Sequence, residues 1–220
     1  MEINVQKQFK TVLGSATAEI EEKKSKFIAS VKPAASEEEA LAFINGLKTR
    51  YWDATHNVYA YYIVGTNIMQ RFSDDGEPAG TAGLPVLEVI KRMEVQNLAV
   101  VVTRYFGGTL LGAAGLIRAY GKCAALGVEA AGIATKQLCV EGSVVVEYTL
   151  FGRVQSAILG GGYHIKEIIY TQDVELLVYI PVDSAGQFEK LIVETTNARA
   201  IVGLGEKRYI TLGEDGKIII

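Results

Sequence analysis

Two stretches of this chain hold more polar chemistry than a tight turn needs. The first is Arg71-Phe72-Ser73-Asp74-Asp75-Gly76-Glu77-Pro78-Ala79-Gly80-Thr81-Ala82-Gly83, where three acids, two hydroxyls and three glycines fall within thirteen residues. The second runs from Thr103-Arg104-Tyr105-Phe106-Gly107-Gly108 through Gly112-Ala113-Ala114-Gly115-Leu116-Ile117-Arg118 to Gly121. Glycines let a backbone come close to a ligand, and a helix start offers N–H donors and a dipole that favours anions. Arg104 and Arg118 flank these glycines and are able to grip phosphate or carboxylate through two N–H groups at once. The spacing matches neither the dinucleotide fingerprint nor a P-loop, whose Lys-Ser/Thr end is absent. The plainer alternative is that Gly112 and Gly115 serve close helix–sheet packing.

Within the first loop, Asp74, Asp75 and Glu77 are near enough in sequence to hold a hard divalent cation. Their spacing is not that of an EF-hand, and carboxylates in a strand-to-helix turn commonly cap backbone N–H groups. The expectation is therefore no metal and no cofactor, with these acids pairing with Arg71, Arg104 or Arg118 to order the loop. His56 follows Trp52, Asp53 and Thr55 and is the histidine placed to act as a general base. A hydrolytic reading needs it within about 7 Å of Asp74, Asp75 or Glu77, the reach of a water-bridged contact. No Ser or Cys stands in a recognisable nucleophile elbow beside it. The leading expectation is thus non-catalytic, and His164 is assigned no role.

These residues need a scaffold. Residues 8–20 and 26–33 read as two strands joined by a charged tip at 21–25. Ser36-Glu37-Glu38-Glu39 is a capping box that opens a helix through about Tyr51, with Ala40, Phe43, Ile44 and Leu47 on one face. Strands follow at 57–64 and 67–72, then the first loop. A helix from Thr81 to about Met93 follows it, with Thr81 as its cap and Pro85 in its first turn. Leu98-Ala99-Val100-Val101-Val102-Thr103 reads as a strand buried on both faces, and a helix over 112–126 follows the second loop. Beyond about residue 135 the order is strand 138–149, helix 151–159, strands 164–172 and 174–182, helix 184–197 and strand 200–210. That βαββαβ order is ferredoxin-like, so two domains are expected, residues 1–135 and 136–220.

Bulk properties narrow the function. The 220 residues carry a formal net charge of −3. Residues 1–135 hold 14 basic and 14 acidic side chains, and residues 136–220 hold 8 and 11. Neither half is basic, which argues against non-specific duplex DNA binding. Lys23-Lys24-Ser25-Lys26, the one dense basic cluster, follows Glu19, Glu21 and Glu22 and reads as a solvated hairpin tip. No apolar run reaches membrane-spanning length, and Met1 to Lys7 lack the basic start and apolar stretch of a leader, so the expected location is cytoplasmic. Cys123 and Cys139 form no disulfide framework or metal pattern and are expected to be buried thiols.

Taken together, the segments resemble the YigZ/IMPACT family. The matching pieces are Ser25-Lys26-Phe27-Ile28, Asp53-Ala54-Thr55-His56-Asn57-Val58-Tyr59-Ala60-Tyr61, the loop Arg71–Gly83, and Val101 through Gly121. The resemblance covers residues 1–135 closely and the remainder by layout. It implies an α+β protein: an N-terminal α/β domain similar to the second domain of ribosomal protein S5, then a ferredoxin-like domain similar to one in elongation factor G. Eukaryotic relatives act in translational control by binding a large activator of an initiation-factor kinase, and carry an RWD domain for which this sequence has no counterpart. The implied function is a translation-associated regulator that binds RNA, the ribosome or a regulatory protein. The contact residues expected from the chemistry of the two loops are Arg71, Ser73, Asp74, Asp75, Glu77, Thr81, Arg104, Tyr105, Gly107, Gly108 and Arg118. One departure stands out. Ala114 occupies a position where the family more usually has glycine, and its methyl group blocks positive φ and the closest backbone approach.

Overall fold

A computed structural model describes residues 6–219; the opening segment behind the leader argument lies mostly outside the described residues. The chain divides into two units, one spanning Phe9–Thr135 and the other running from Lys136 onward with Lys7 and Gln8.

In the first unit the strands are β1 (Gln8–Val12), β2 (Ala16–Glu22), β3 (Ser25–Pro33), β4 (His56–Val64), β5 (Ile68–Ser73) and β6 (Leu98–Tyr105). The helices are α1 (Glu37–Arg50), α2 (Gly83–Arg92) and α3 (Ala113–Ala130). The sheet order is β2-β3-β6-β4-β5, antiparallel at every pairing. Side chains alternate across it as a pleated sheet demands. Leu98, Val100 and Val102 of β6 join Phe27, Ala29 and Val31 of β3 beneath α2 and α3. Ala99 and Val101 point the other way, onto Ala40, Ile44 and Leu47 of α1. Helices on both faces explain why β6 is an almost unbroken apolar run.

The stretch expected as one strand over 8–20 breaks at Leu13-Gly14-Ser15 into β1 and β2. The break has a physical cause: Leu13 and Gly14 donate their N–H groups to Gly132 and Ala131 carbonyls at 2.8 and 3.3 Å rather than continuing a ladder. Helix α1 starts as its capping box requires. Ser36 Oγ accepts from Glu39 N, and Glu39 Oε2 accepts from Ala35 N, one residue upstream of the usual return bond.

In the second unit β7 (Ile133–Val146), α4 (Tyr148–Gly160), β8 (His164–Tyr170), β9 (Val174–Pro181), α5 (Ala185–Thr196) and β10 (Ile201–Leu212) follow the expected βαββαβ order. Their sheet runs β10-β7-β9-β8 with a short β11 (Ile218–Ile219) beyond β10. Both helices lie on one face, where Val154, Ile158, Phe188 and Ile192 cover Val144, Leu176 and Val178. Of the glycines at 160–162, Gly162 takes the positive φ, +77°. The whole is an α+β protein. No helix among the described residues is long and apolar enough to cross a membrane.

Candidate binding site between the two polar-glycine loops

The site begins with a strand register. β4 pairs with β6 so that His56 lies opposite Arg104 and Asn57 opposite Thr103. Both loops leave this end of the sheet, the second directly from β6 and the first from β5 on the far side of β4. Thr55 fastens the start of β4 to the second loop, its N–H donating to the Arg104 carbonyl and its Oγ1 accepting from Phe106 N at 3.0 Å. Thr103 Oγ1 donates to Asn57 Oδ1 at 2.7 Å in the buried layer beneath.

The three acids of the first loop do three different jobs. Asp74 accepts from Gly80 N, Ala82 N and Gly83 N at 2.8, 3.0 and 2.8 Å, and so caps the start of α2 from outside the helix. Thr81, expected as that cap, instead donates its hydroxyl to the Pro78 carbonyl at 2.7 Å. Asp75 sits at φ +46°, which an Asp tolerates. Its carboxylate takes Lys48 Nζ and Asn57 N, each at 2.7 Å. Burial works against its ionisation, but these two bonds outweigh burial and hold its pKa below the ordinary carboxylate value. Ser73 Oγ accepts from Asp75 N at 3.2 Å.

Glu77 is the acid that turns inward. Its Oε1 accepts from Arg104 Nη1 at 2.6 Å and from Tyr120 OH at 2.7 Å, with His56 Nε2 3.9 Å away. Burial and this carboxylate both push the Tyr120 phenol far upward, so it stays a donor. Arg104 is 4% exposed. Its Nη2 donates to Ser25 Oγ at 3.2 Å, and the guanidinium lies against the rings of Phe27 and Phe106 at 5.3 and 5.5 Å. Its Nε is buried with no hydrogen-bond partner among the described residues. His56 Nδ1 lies 2.8 Å from the Asp75 carbonyl oxygen. A carbonyl only accepts, so Nδ1 carries a proton and donates it to that oxygen.

Two glycines let each loop lie close against neighbouring backbone. A Cβ on Gly107 would lie 2.0 Å from the Lys24 backbone, and one on Gly83 would lie 2.7 Å from that of Ser73. Gly107 N also donates to Ser25 Oγ at 3.2 Å, fastening the second loop to the hairpin tip. Between the loops opens a cavity of about 380 Å³. His56, Glu77, Arg104 and Thr55 form one part of its wall; Phe106, Leu110, Leu111 and the start of α3 form the rest. Phe106 and Leu110 stand at its rim, 45% and 82% exposed.

The expected partner residues therefore divide. Asp74, Asp75, Glu77, Ser73, Thr81, Arg104 and Gly107 are engaged in building the loops. Arg104 in particular is buried and pairs with Glu77, as the loop-ordering ion pairs expected of these acids require. Arg71 is exposed but pairs with Glu37 at 3.0 Å, not with a loop acid. Tyr105 donates to Asp53 at 2.9 Å on the surface. Arg118 is exposed one turn into α3 and lies in a different groove, between α2 and α3. Gly108 sits at φ +80° beside the cavity rim. Tyr120, Ser25 and Lys48 were not singled out from the sequence. Tyr120 belongs to the second motif, yet nothing in its spacing says that its hydroxyl meets Glu77.

Fold and site together define a class: a two-unit α+β protein whose first unit closes two glycine-rich loops around a half-open cavity. The Impact N-terminal domain family matches residues 23–128, and a domain of unknown function, DUF1949, matches residues 144–199. The chain is 38% identical to IMPACT family member YvyE of Bacillus subtilis over 200 residues, covering 91% of this chain and 92% of that one. It is 43% identical to IMPACT family member YigZ of Escherichia coli over 101 residues, covering 45% of this chain and 50% of that one. A crystal structure of a hypothetical protein superposes with a TM-score of 0.58 at 27% identity, covering 92% of this chain and 98% of that one. The chain belongs to the IMPACT family.

Proposed function

We propose that this protein is a non-catalytic regulator associated with translation, and that it holds a protein partner against the cavity mouth of its first unit. The observation that carries this reading is the mismatch between wall and rim. The acid and the guanidinium of the wall are matched to each other, Arg104 to Glu77, while the rim exposes Phe106 and Leu110. An exposed apolar rim around a wall whose acid and guanidinium are paired with each other suits a protein side chain entering the mouth. Phosphate recognition would need free cations there, and both Arg104 and Arg71 are already paired. The link to translation rests on the family resemblance of the motifs.

The test is photo-crosslinking in cells from a benzoylphenylalanine at Leu110, with Glu206 of the second unit as the control position. A defined protein adduct from the translation apparatus, lost in Phe106→Ala, is the expected result. Adducts dominated by RNA, or none above the control, overturn it.

A second reading is favoured by one specific observation: His56 lines the cavity with its Nε2 3.9 Å from Glu77 Oε1, a histidine beside a carboxylate as a general base requires. Hydrolysis of a small substrate would then vanish in His56→Gln, with the fold intact by circular dichroism.

A further inference from the structure

A second concavity lies on the outer side of the first unit, where α2 packs against α3. It encloses about 970 Å³. Its floor is apolar: Leu84, Val89, Ile117 and Ala125 line it, with Gly121 of α3 beside Val89 of α2. Leu84 and Ile117 are 38% and 45% exposed.

The rim is basic. Arg92 of α2 and Arg118 and Lys122 of α3 line the groove. All three are exposed, and none has a carboxylate partner among the described residues. The one acid of the lining, Glu88, is 3.9 Å from Lys91 on its own helix. Three unpaired cations around an apolar trough run against the charge of a chain whose net is −3. Like charges held close repel, so an occupant bearing carboxylates relieves that repulsion while its apolar side chains cover the floor.

We infer that the α2–α3 groove is a docking surface for an acidic amphipathic helix of a partner protein. Such a helix lays apolar residues at i, i+3, i+4 and i+7 into the trough and sets its acids against Arg92, Arg118 and Lys122. This surface shares no lining residue with the cavity between the loops, and the inference stands whether or not the mouth holds a partner.

The experiment is a titration of the isotope-labelled full chain, followed by amide chemical shifts, with a synthetic helix of about 18 residues, five turns long. The peptide carries leucines on one face and glutamates on the flanks. Its controls are the same sequence with lysines for glutamates and a single-stranded oligouridylate. Shifts confined to Leu84, Ile117, Gly121 and their neighbours with the acidic peptide alone are expected. Arg118→Glu/Lys122→Glu, both at exposed positions, should weaken binding by about tenfold or more, and Glu88→Gln should tighten it. Leu110→Ser at the cavity mouth should leave it unchanged. Equal response to the lysine peptide, stronger response to the oligonucleotide, self-association through the groove, or no shifts at millimolar peptide would each overturn the inference.

Discussion

Glu77 and Arg104 show how a residue chosen for one chemistry serves another. Each has the charge of a ligand contact, yet each is more than nine-tenths buried and they bond at 2.6 Å, with Tyr120 and Ser25 filling further hydrogen-bonding positions. Removing one member of such a pair strands the other in a low-dielectric setting. Arg104→Met should therefore cost about 3–5 kcal/mol in urea unfolding. The double replacement Arg104→Met/Glu77→Leu should cost clearly less than the sum of the single changes, a coupling read from the double-mutant cycle. Cys123 and Cys139 are buried, and burial pushes their thiols up to about 12 and about 11. Neither is a nucleophile at neutral pH. Both were legible in the sequence as core residues because each stands in an apolar run.

At the scale of the element, Asp74 is the informative case. Helix α2 has no side-chain cap from its own N-cap residue, Ala82, and the Asp74 carboxylate supplies that function from the preceding loop, satisfying donors of the first turn. Asp74→Ala should lower stability by about 1–2 kcal/mol, the range of a lost helix cap, measured by denaturant unfolding at constant pH. Asp74→Asn should recover part of it, since an amide oxygen still accepts. The capping box of α1 was readable because its partners lie within four residues. The cap of α2 was not, because its donors are six to nine residues from Asp74 and only the fold of the loop brings them together. Gly107 makes the same point from the other side. Its glycine was visible, but the Lys24 backbone that forbids a Cβ there comes from a hairpin turn some eighty residues earlier.

On the scale of the whole molecule, two sets of buried residues carry the two units. Phe188 is fully buried in the second and meets Tyr163 edge-on at 4.9 Å. Phe188→Ala should cost that unit about 3–5 kcal/mol. In native-state hydrogen exchange, protection should fall across β7, β9, α4 and α5 while the amides of β3 and β6 keep theirs. The βαββαβ order was legible because hydrophobic periodicity is a local property, set by the 3.6-residue and 2-residue repeats of helix and strand. Sequence alone thus determined the element types, most of their bounds, the presence of two polar-glycine loops and the family. Tertiary structure alone decided what the loop residues do. It made Arg104 a buried ion-pair member rather than a surface contact, Asp74 a cap and Asp75 a strut to Lys48, and it left Arg92, Arg118 and Lys122 unpaired along one groove. The physical reason is that an ionic side chain takes its role from whichever charge the register brings within a few ångströms. Pairing of β4 with β6 and packing of α2 on α3 set those distances across tens of residues of intervening chain.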